Sequence, residues 1–174
     1  MSEEKKGPGA IALAWWSREI APREIPAAKG LSARLRRAAP LAVLCEPAVI
    51  GLAWKLDLGP ARVESLVRLA TLLAEVRDNS PETLARRLAE PVLSTLRFQR
   101  LMRAEGDELT DHLRRAIQMA DRRCNVAALA ADLLHWESAR PRWCFHYFGA
   151  DAPAGPGGPA GSAAPATPFE EKTE

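Results

Sequence analysis

The chain has 174 residues, of which 47% are hydrophobic and 26% charged, and its formal net charge is +2. It is long enough to bury a core without disulfides or a metal, and it has no apolar run of about eighteen residues, which excludes a membrane-spanning helix. Its cysteines, Cys45, Cys124 and Cys144, are odd in number and widely spaced. They are typical of buried small hydrophobic residues in a reducing compartment and argue against a disulfide framework. The opening "MSEEKKGPG" also lacks the basic and apolar regions of a signal peptide, so we expect a cytoplasmic protein.

Helical spacing dominates the chain between Ala10 and Ala150, which is rich in alanine, leucine and arginine. No stretch alternates between apolar and polar residues as a strand bounded by turns does. We therefore predict an all-α fold made of two small helical lobes, residues 10–78 and 80–150. Each lobe is expected to be a bundle of short helices, with the boundary in the segment "EVRDNSPE".

Capping residues predict where several of these helices begin. Ser32 precedes "ARLRRAA", and Pro60 precedes "ARVESLVRLATLLAEVR". Ser80, in "SPE", predicts a further helix start before "TLARRLA", and Asn125 precedes "VAALAADLLHW". Serine and asparagine accept hydrogen bonds from the free N–H groups of a first helical turn, while proline suits the first helical position.

The segment "LRFQRLMRAEGDELTDHLRRAI" predicts two helices separated at "EGD". On a helical wheel, Arg97, Arg100 and Arg103 form one stripe on the first helix, beside an apolar stripe. On the second helix, Arg115 and Arg122 share a flank of the apolar face. Two neighbouring helices therefore each offer guanidinium groups beside a buried seam, which suits contact with a polyanion.

An ordinary solvated surface is the competing interpretation of these arginines. Pairs four residues apart, Glu108 with His112 and Asp111 with Arg115, would then neutralise part of the charge. Most of the Lys+Arg total of 24 is arginine, which favours bidentate phosphate contacts, but a GC-rich genome produces the same bias. Composition alone leaves the choice open.

Other functional sites find little support in the sequence. Cys144 and His146, together with His135, lack the spacing of a zinc site, and no glycine-rich loop joins a strand to a helix. We therefore expect no metal, no cofactor and no catalytic centre. The tryptophans lie in apolar helical context and are expected in the core; they are Trp15, Trp16, Trp54, Trp136 and Trp143.

The composition changes at Asp151, where "DAPAGPGGPAGSAAPATP" begins. This stretch has too few large apolar residues to offset the entropy of ordering it, so residues 151–174 are predicted to be a disordered tail. The tail holds more acids than bases. The rest of the chain is therefore more basic than the overall charge suggests.

The C-terminal third contains the motifs "LRFQRLMRAEGDELTDHLRRAIQMA" and, after it, "LAADLLHWESARPRWCFHYF". These motifs resemble the CasB family, the small subunit of the type I-E CRISPR surveillance complex called Cascade. The N-terminal half agrees more loosely, through "WW" at Trp15, "LRRA" at Leu35 and "LVRLATLLAEV". The tail is not part of the family pattern.

The resemblance implies an all-α, non-catalytic protein of two helical lobes, present in two copies per complex. Its expected partners are the crRNA-bound backbone subunits, the large subunit, the second copy of itself, the crRNA-guided target DNA and the displaced strand, with no membrane. In the family, the pair of small subunits supports the R-loop by contacting DNA.

Nucleic-acid contacts are expected at arginines on several helices. The family's basic contact positions fall on Arg37, Arg97, Arg103 and Arg115, and the wheel adds Arg100 and Arg122; Arg140 and Arg142 lie where the family also has basic residues. Two alternatives remain open. A helix-turn-helix regulator would use "LARRLAEPVLSTLRFQRLMR" to bind a specific duplex, and a protein-protein adaptor would direct its arginines at acidic partner surfaces.

Overall fold

A computed structural model describes residues 6–150. In that part the chain forms ten α-helices, a 3-10 helix at Pro60–Arg62 and two strands of two residues each, β1 (Asp78–Asn79) and β2 (Arg123–Cys124). The all-α prediction is confirmed, and the tail predicted at residues 151–174 lies outside the described residues. The helices are α1 (Pro8–Glu19), α2 (Pro26–Arg37), α3 (Pro40–Leu44), α4 (Pro47–Leu56), α5 (Val63–Glu75), α6 (Leu84–Arg87), α7 (Thr95–Arg103), α8 (Gly106–Met119), α9 (Val126–Leu134) and α10 (Trp136–Tyr147).

Proline begins each of the first four helices, because its missing N–H lies where a helix has no acceptor for it. The predicted helix start at Ser32 is therefore wrong: α2 begins at Pro26, and the Ser32 hydroxyl donates to the carbonyl of Ala74 at 3.2 Å. The predicted cap at Asn125 is confirmed, since its side-chain oxygen accepts from the N–H of Ala128 at 2.9 Å.

Helix α5 lies at the centre of the fold. Its second half is buried without interruption from Leu69 to Glu75, and it packs against α2, α3, α8 and α9. Helix α1 packs closely against α9, with Gly9 beside the carbonyl of Ala127. Apart from Ala28, the buried apolar side chains of the described residues form one cluster that extends across the predicted boundary near residue 79. The division into lobes 10–78 and 80–150 stays a prediction.

The segment "EVRDNSPE" contains β1, which pairs in parallel with β2 and aligns Asp78 with Arg123 and Asn79 with Cys124. The Asn79 side chain also accepts from the N–H of Val126 at 3.0 Å, at the start of α9. Two-residue strands are too short for any alternation to show in the sequence. The predicted boundary segment is thus tied directly to the turn between α8 and α9.

The expectation of a tryptophan core holds for all but one of the five residues. Trp54, on α4, is 83% exposed, so its predicted burial is wrong. All three cysteines were expected to be buried: Cys124 is buried, Cys144 is partly buried and Cys45 is exposed, so the expectation is wrong for Cys45. No helix among residues 6–150 is long and apolar enough to cross a membrane.

Candidate nucleic-acid interface

Helix α7 presents the predicted arginine stripe to solvent. Phe98 and Leu101 are buried on its inner face, while Arg97, Arg100 and Arg103 are exposed. None of the three guanidinium groups has a hydrogen-bond or ion-pair partner among the described residues. The periodicity of this short helix was sufficient to predict which side chains face outward.

The N-terminus of α7 is held by a carboxylate that precedes it. The N–H and the hydroxyl of Thr95 both donate to Glu90, at 3.0 and 2.9 Å. These two hydrogen bonds stabilise the charged form and lower the pKa of the Glu90 carboxyl. The first turn carrying the stripe is therefore anchored by a negative charge, as the helix dipole favours.

Helix α8 buries Leu113 and Ile117 and leaves Arg115 exposed. The predicted pair between Asp111 and Arg115 does not form. Asp111 instead accepts from Arg114 at 3.2 Å, three residues along the helix. Arg115 is left without an acceptor among the described residues, on a helix that is in contact with α7.

Arg37 is the last residue of α2 and is exposed. Its neighbour Arg34 differs, because it donates to both oxygens of Glu46 at 2.6 and 3.0 Å. That hydrogen-bonded pairing lowers the pKa of the Glu46 carboxyl. Arg37 has no such partner in the described part of the chain.

Arg122 forms an internal ion pair that the sequence did not predict. It donates to Glu75 at 2.6 Å, and Arg114 lies 3.4 Å from the other oxygen of the same carboxylate. Glu75 is only 3% exposed, at the C-terminal end of α5. A buried carboxylate needs compensating charge, so Arg114 and Arg122 have a structural partner within the fold.

Arg140 and Arg142, on α10, also have internal partners. Arg140 donates to the carbonyl of Ala104 at 3.1 Å and lies 3.1 Å from Glu137. Arg142 pairs with Asp132, a 6% exposed residue that also accepts from the indole of Trp143 at 2.6 Å. Both arginines therefore anchor α10 to its surroundings.

Two titratable groups near these helices have shifted pKa values. Burial raises the pKa of the Cys124 thiol to about 12, so the thiol stays protonated at neutral pH. Partial burial, with Arg86 and Arg142 adding to it, lowers the pKa of His146. Among residues 6–150, no three side chains of the His, Cys, Asp or Glu type are grouped so that they could hold a metal ion.

The eight predicted contact arginines thus fall into two sets. Internal acceptors bind Arg122, Arg140 and Arg142. The second set, which we call the unpaired arginines, is exposed and has no partner among residues 6–150; it comprises Arg37, Arg97, Arg100, Arg103 and Arg115. Sequence reasoning missed the division because Glu75 and Asp132 are distant in sequence from the arginines they bind, or lie on another helix.

A family model described as CRISPR-associated protein Cse2 matches residues 32–148. No match is found among curated proteins. Two crystal structures from Thermus thermophilus are similar to this chain. A CRISPR-associated protein of the Cse2 family shares 28% identity, covers 83% of this chain and 100% of its own, and has a TM-score of 0.68. A structure of CasB has the same identity and coverage and a TM-score of 0.66.

A third structure shares the fold at lower identity. It is a chain of E. coli Cascade bound to a PAM-containing double-stranded DNA target, with 20% identity and a TM-score of 0.57. The match covers 80% of this chain and 92% of that chain. Similarity at this level concerns the arrangement of the helices.

Proposed function

Because the chain belongs to the Cse2 family of CRISPR-associated proteins, we propose that it is a non-catalytic structural subunit of a type I-E Cascade complex in the cytoplasm. In that complex it packs beside the crRNA-bound backbone subunits, the large subunit and a second copy of itself. The E. coli chain with the same fold belongs to a Cascade complex bound to double-stranded DNA, which supports this assignment. The resemblance to CasB in the C-terminal motifs points the same way.

The unpaired arginines carry the nucleic-acid part of the proposal. Three of them share one stripe of α7, Arg115 lies on the adjoining α8, and Arg37 ends α2. An exposed guanidinium without an internal counter-ion gains most from a phosphate, to which it donates two parallel hydrogen bonds. This absence of internal partners is the observation that most favours a polyanion.

Such contacts suit the support of an R-loop. The exchange of a DNA duplex for an RNA–DNA hybrid is nearly balanced in free energy, so a few backbone contacts can shift it. Contacts to phosphates hold any strand, while the guide RNA selects the sequence. If four or five arginines each neutralise one phosphate of a single strand, the log-log dependence of affinity on salt has a slope of roughly −3 to −4.

The decisive experiment replaces Arg103 and Arg115 by alanine together in the assembled complex. Loss of two single-strand contacts should make the salt slope shallower by about 1.4, so the fold loss in affinity is greatest at low salt. We expect faster dissociation of target DNA with unchanged helical content. Dissociation rates over a series of salt concentrations measure the effect.

A matched control removes the same charge elsewhere. Arg18 is exposed and paired with Glu19, and Lys55 is an exposed residue of α4. The double alanine variant at these positions should leave DNA dissociation unchanged. Equal behaviour of the two double variants would contradict the arginine surface and favour a protein-protein adaptor. Tight binding of one specific duplex by the free protein would favour the helix-turn-helix alternative.

A further inference from the structure

A second basic surface lies outside the predicted contact residues. A cleft of about 330 Å³ opens between the loop after α1, one face of α2 and the end of α5. Its lining combines four cationic side chains with three neutral ones and contains no carboxylate. The lining residues are Ile20, Arg23, Lys29, Ser32, Arg36, Ala74 and Arg77.

The polar groups of the cleft leave most of the positive charge uncompensated. Arg36 donates through Nε to the carbonyl of Ser32 at 3.3 Å, which leaves its two terminal nitrogens available. The side chains of Arg23, Lys29 and Arg77 are in exposed residues and have no ion pair among residues 6–150. The cations around this recess repel one another, and an anion bound between them would replace that repulsion by attraction.

The cleft adjoins the unpaired arginines through α2. Arg36 lines the cleft, and the next residue, Arg37, ends the helix and is exposed. On the other side, the N–H of Arg77 donates to the carbonyl of Arg122 at 2.6 Å, so the cleft lies beside the turn that follows α8. On the α2 side, the cleft therefore continues to a further exposed cation, Arg37.

A repeating phosphodiester fits this arrangement better than a single carboxylate does. Three of the cations are arginines, whose planar donors match phosphate oxygens in pairs. Ile20 and Ala74 add an apolar wall on which a sugar can rest. A recess lined by cations around its rim suits a chain that carries a charge at every link.

We propose that this cleft is a second binding site for the sugar-phosphate backbone of nucleic acid, separate from the unpaired arginines. The proposal rests on the proposed function, because a subunit that supports an R-loop lies close to a nucleic-acid backbone. The phosphates come either from the displaced single strand or from the RNA–DNA hybrid. Both sources present the same chemistry to the cleft.

The test uses the full-length chain with Arg23, Lys29 and Arg77 all replaced by glutamine. Arg36 is kept because it contacts the α2 backbone. Fluorescence anisotropy with labelled single-stranded DNA and, separately, with an RNA–DNA hybrid measures affinity over a series of salt concentrations. We expect the slope for the ligand that fills the cleft to become shallower by about 2 on a single strand, or more on a duplex.

The control replaces three other exposed cations, Lys6, Arg18 and Lys55, by glutamine and should keep the original slope. If the slope of the cleft variant changes with only one of the two ligands, that ligand is the source of the phosphates. Unchanged slopes with both ligands overturn the proposal. If the cleft variant keeps its slopes but no longer enters the assembled complex, the cleft binds an acidic protein surface and the proposal also fails.

The variant with Arg103 and Arg115 replaced by alanine separates the two proposals. If its slope falls while that of the cleft variant does not, the second site is wrong and the proposed function stands. If neither slope falls, neither the cleft nor the unpaired arginines bind nucleic acid, and the nucleic-acid part of the proposed function is wrong as well. Circular dichroism confirms that each variant remains helical before binding is measured.

Discussion

Gly9 lies where α1 crosses α9, and a β-carbon there would meet the carbonyl oxygen of Ala127 at 2.5 Å. Gly9→Ala should therefore force the two helices apart, at a cost of about 1–3 kcal/mol, despite the higher helix propensity of alanine. Thermal or urea unfolding measures the change. The matched control is Gly51→Ala, in the interior of α4, where a β-carbon meets nothing within 4 Å.

The control should behave in the opposite way. Gly51→Ala gains roughly 0.5–1 kcal/mol, since it only reduces the freedom of the unfolded chain and favours the helix. If Gly9→Ala is equally stabilising, the close crossing of α1 and α9 is wrong.

Arg122 and Arg97 illustrate how differently two arginines can act. Arg122→Ala removes a 2.6 Å charge-assisted hydrogen bond from buried Glu75, and we expect a loss of about 1–3 kcal/mol in the free energy of unfolding. Arg97→Ala removes an exposed side chain without a partner among residues 6–150 and should change stability by less than about 0.5 kcal/mol. Urea unfolding of both variants provides the comparison. Equal losses of unfolding free energy in the two variants would show that the internal ion pair of Arg122 does not stabilise the fold.

At the scale of elements, α10 is held at its C-terminal end by Tyr147. Its ring stacks on Phe98 of α7 with centroids 4.0 Å apart, and its hydroxyl donates to the carbonyl of Leu93 at 2.6 Å. Tyr147→Phe keeps the ring but leaves a buried carbonyl without a donor, so we expect about 1–3 kcal/mol of destabilisation in urea unfolding. Phe145→Leu, on an exposed face of the same helix, is the control and should have little effect. A Tyr147→Phe variant as stable as this control would argue against the buried hydrogen bond.

The sequence predicted correctly those features that depend only on neighbouring residues in one helix. The stripes of α7 and α8 follow from local periodicity, because buried side chains recur about once per turn and exposed side chains lie at positions between them. The cap at Asn125 is equally local, since donor and acceptor are three residues apart. Such features need no knowledge of the rest of the chain.

Features that depend on tertiary contacts were not predictable in this way. Trp54 lies in an apolar helix, yet its side chain remains 83% exposed because burial depends on which elements pack against that face of α4. The partner of Arg122, Glu75, is 47 residues away, at the end of α5. The predicted place of Arg122 on a helix flank is also wrong, because α8 ends at Met119 and Arg122 lies in the turn that follows, with φ 55°. Periodicity could predict neither that turn nor the internal bond to Glu75.

At the scale of the whole molecule, positive charge is distributed unevenly among its helices. Acids neutralise arginines where helices pack together, as at Glu75 and Asp132. The unpaired arginines and the basic cleft have no such partners among residues 6–150. Internal ion pairs therefore account for part of the arginine content, and the remainder is the part that a polyanion can use.

The buried core joins both halves of the chain, which bears on how the protein unfolds. Helix α1 packs on α9, α5 packs on α8 and α9, and β1 pairs with β2 across the predicted lobe boundary. Elements that share one core lose their contacts together, so we expect a single cooperative transition in urea. Far-UV circular dichroism and tryptophan fluorescence should give coincident curves, because the buried tryptophans occur in both halves.

Separate expression of the two predicted lobes extends this test. A fragment ending at residue 79 lacks α9, on which α1 packs, so we expect it to bind a dye for exposed apolar surface instead of folding. Two resolved transitions in the intact chain, or a cooperatively folding fragment, would instead establish residues 10–78 and 80–150 as independent lobes. The outcome depends on whether contacts between the two halves stabilise the fold more than contacts within each half do. Helix α5 is buried against α2 of its own half and against α8 and α9 of the other, which argues that they do.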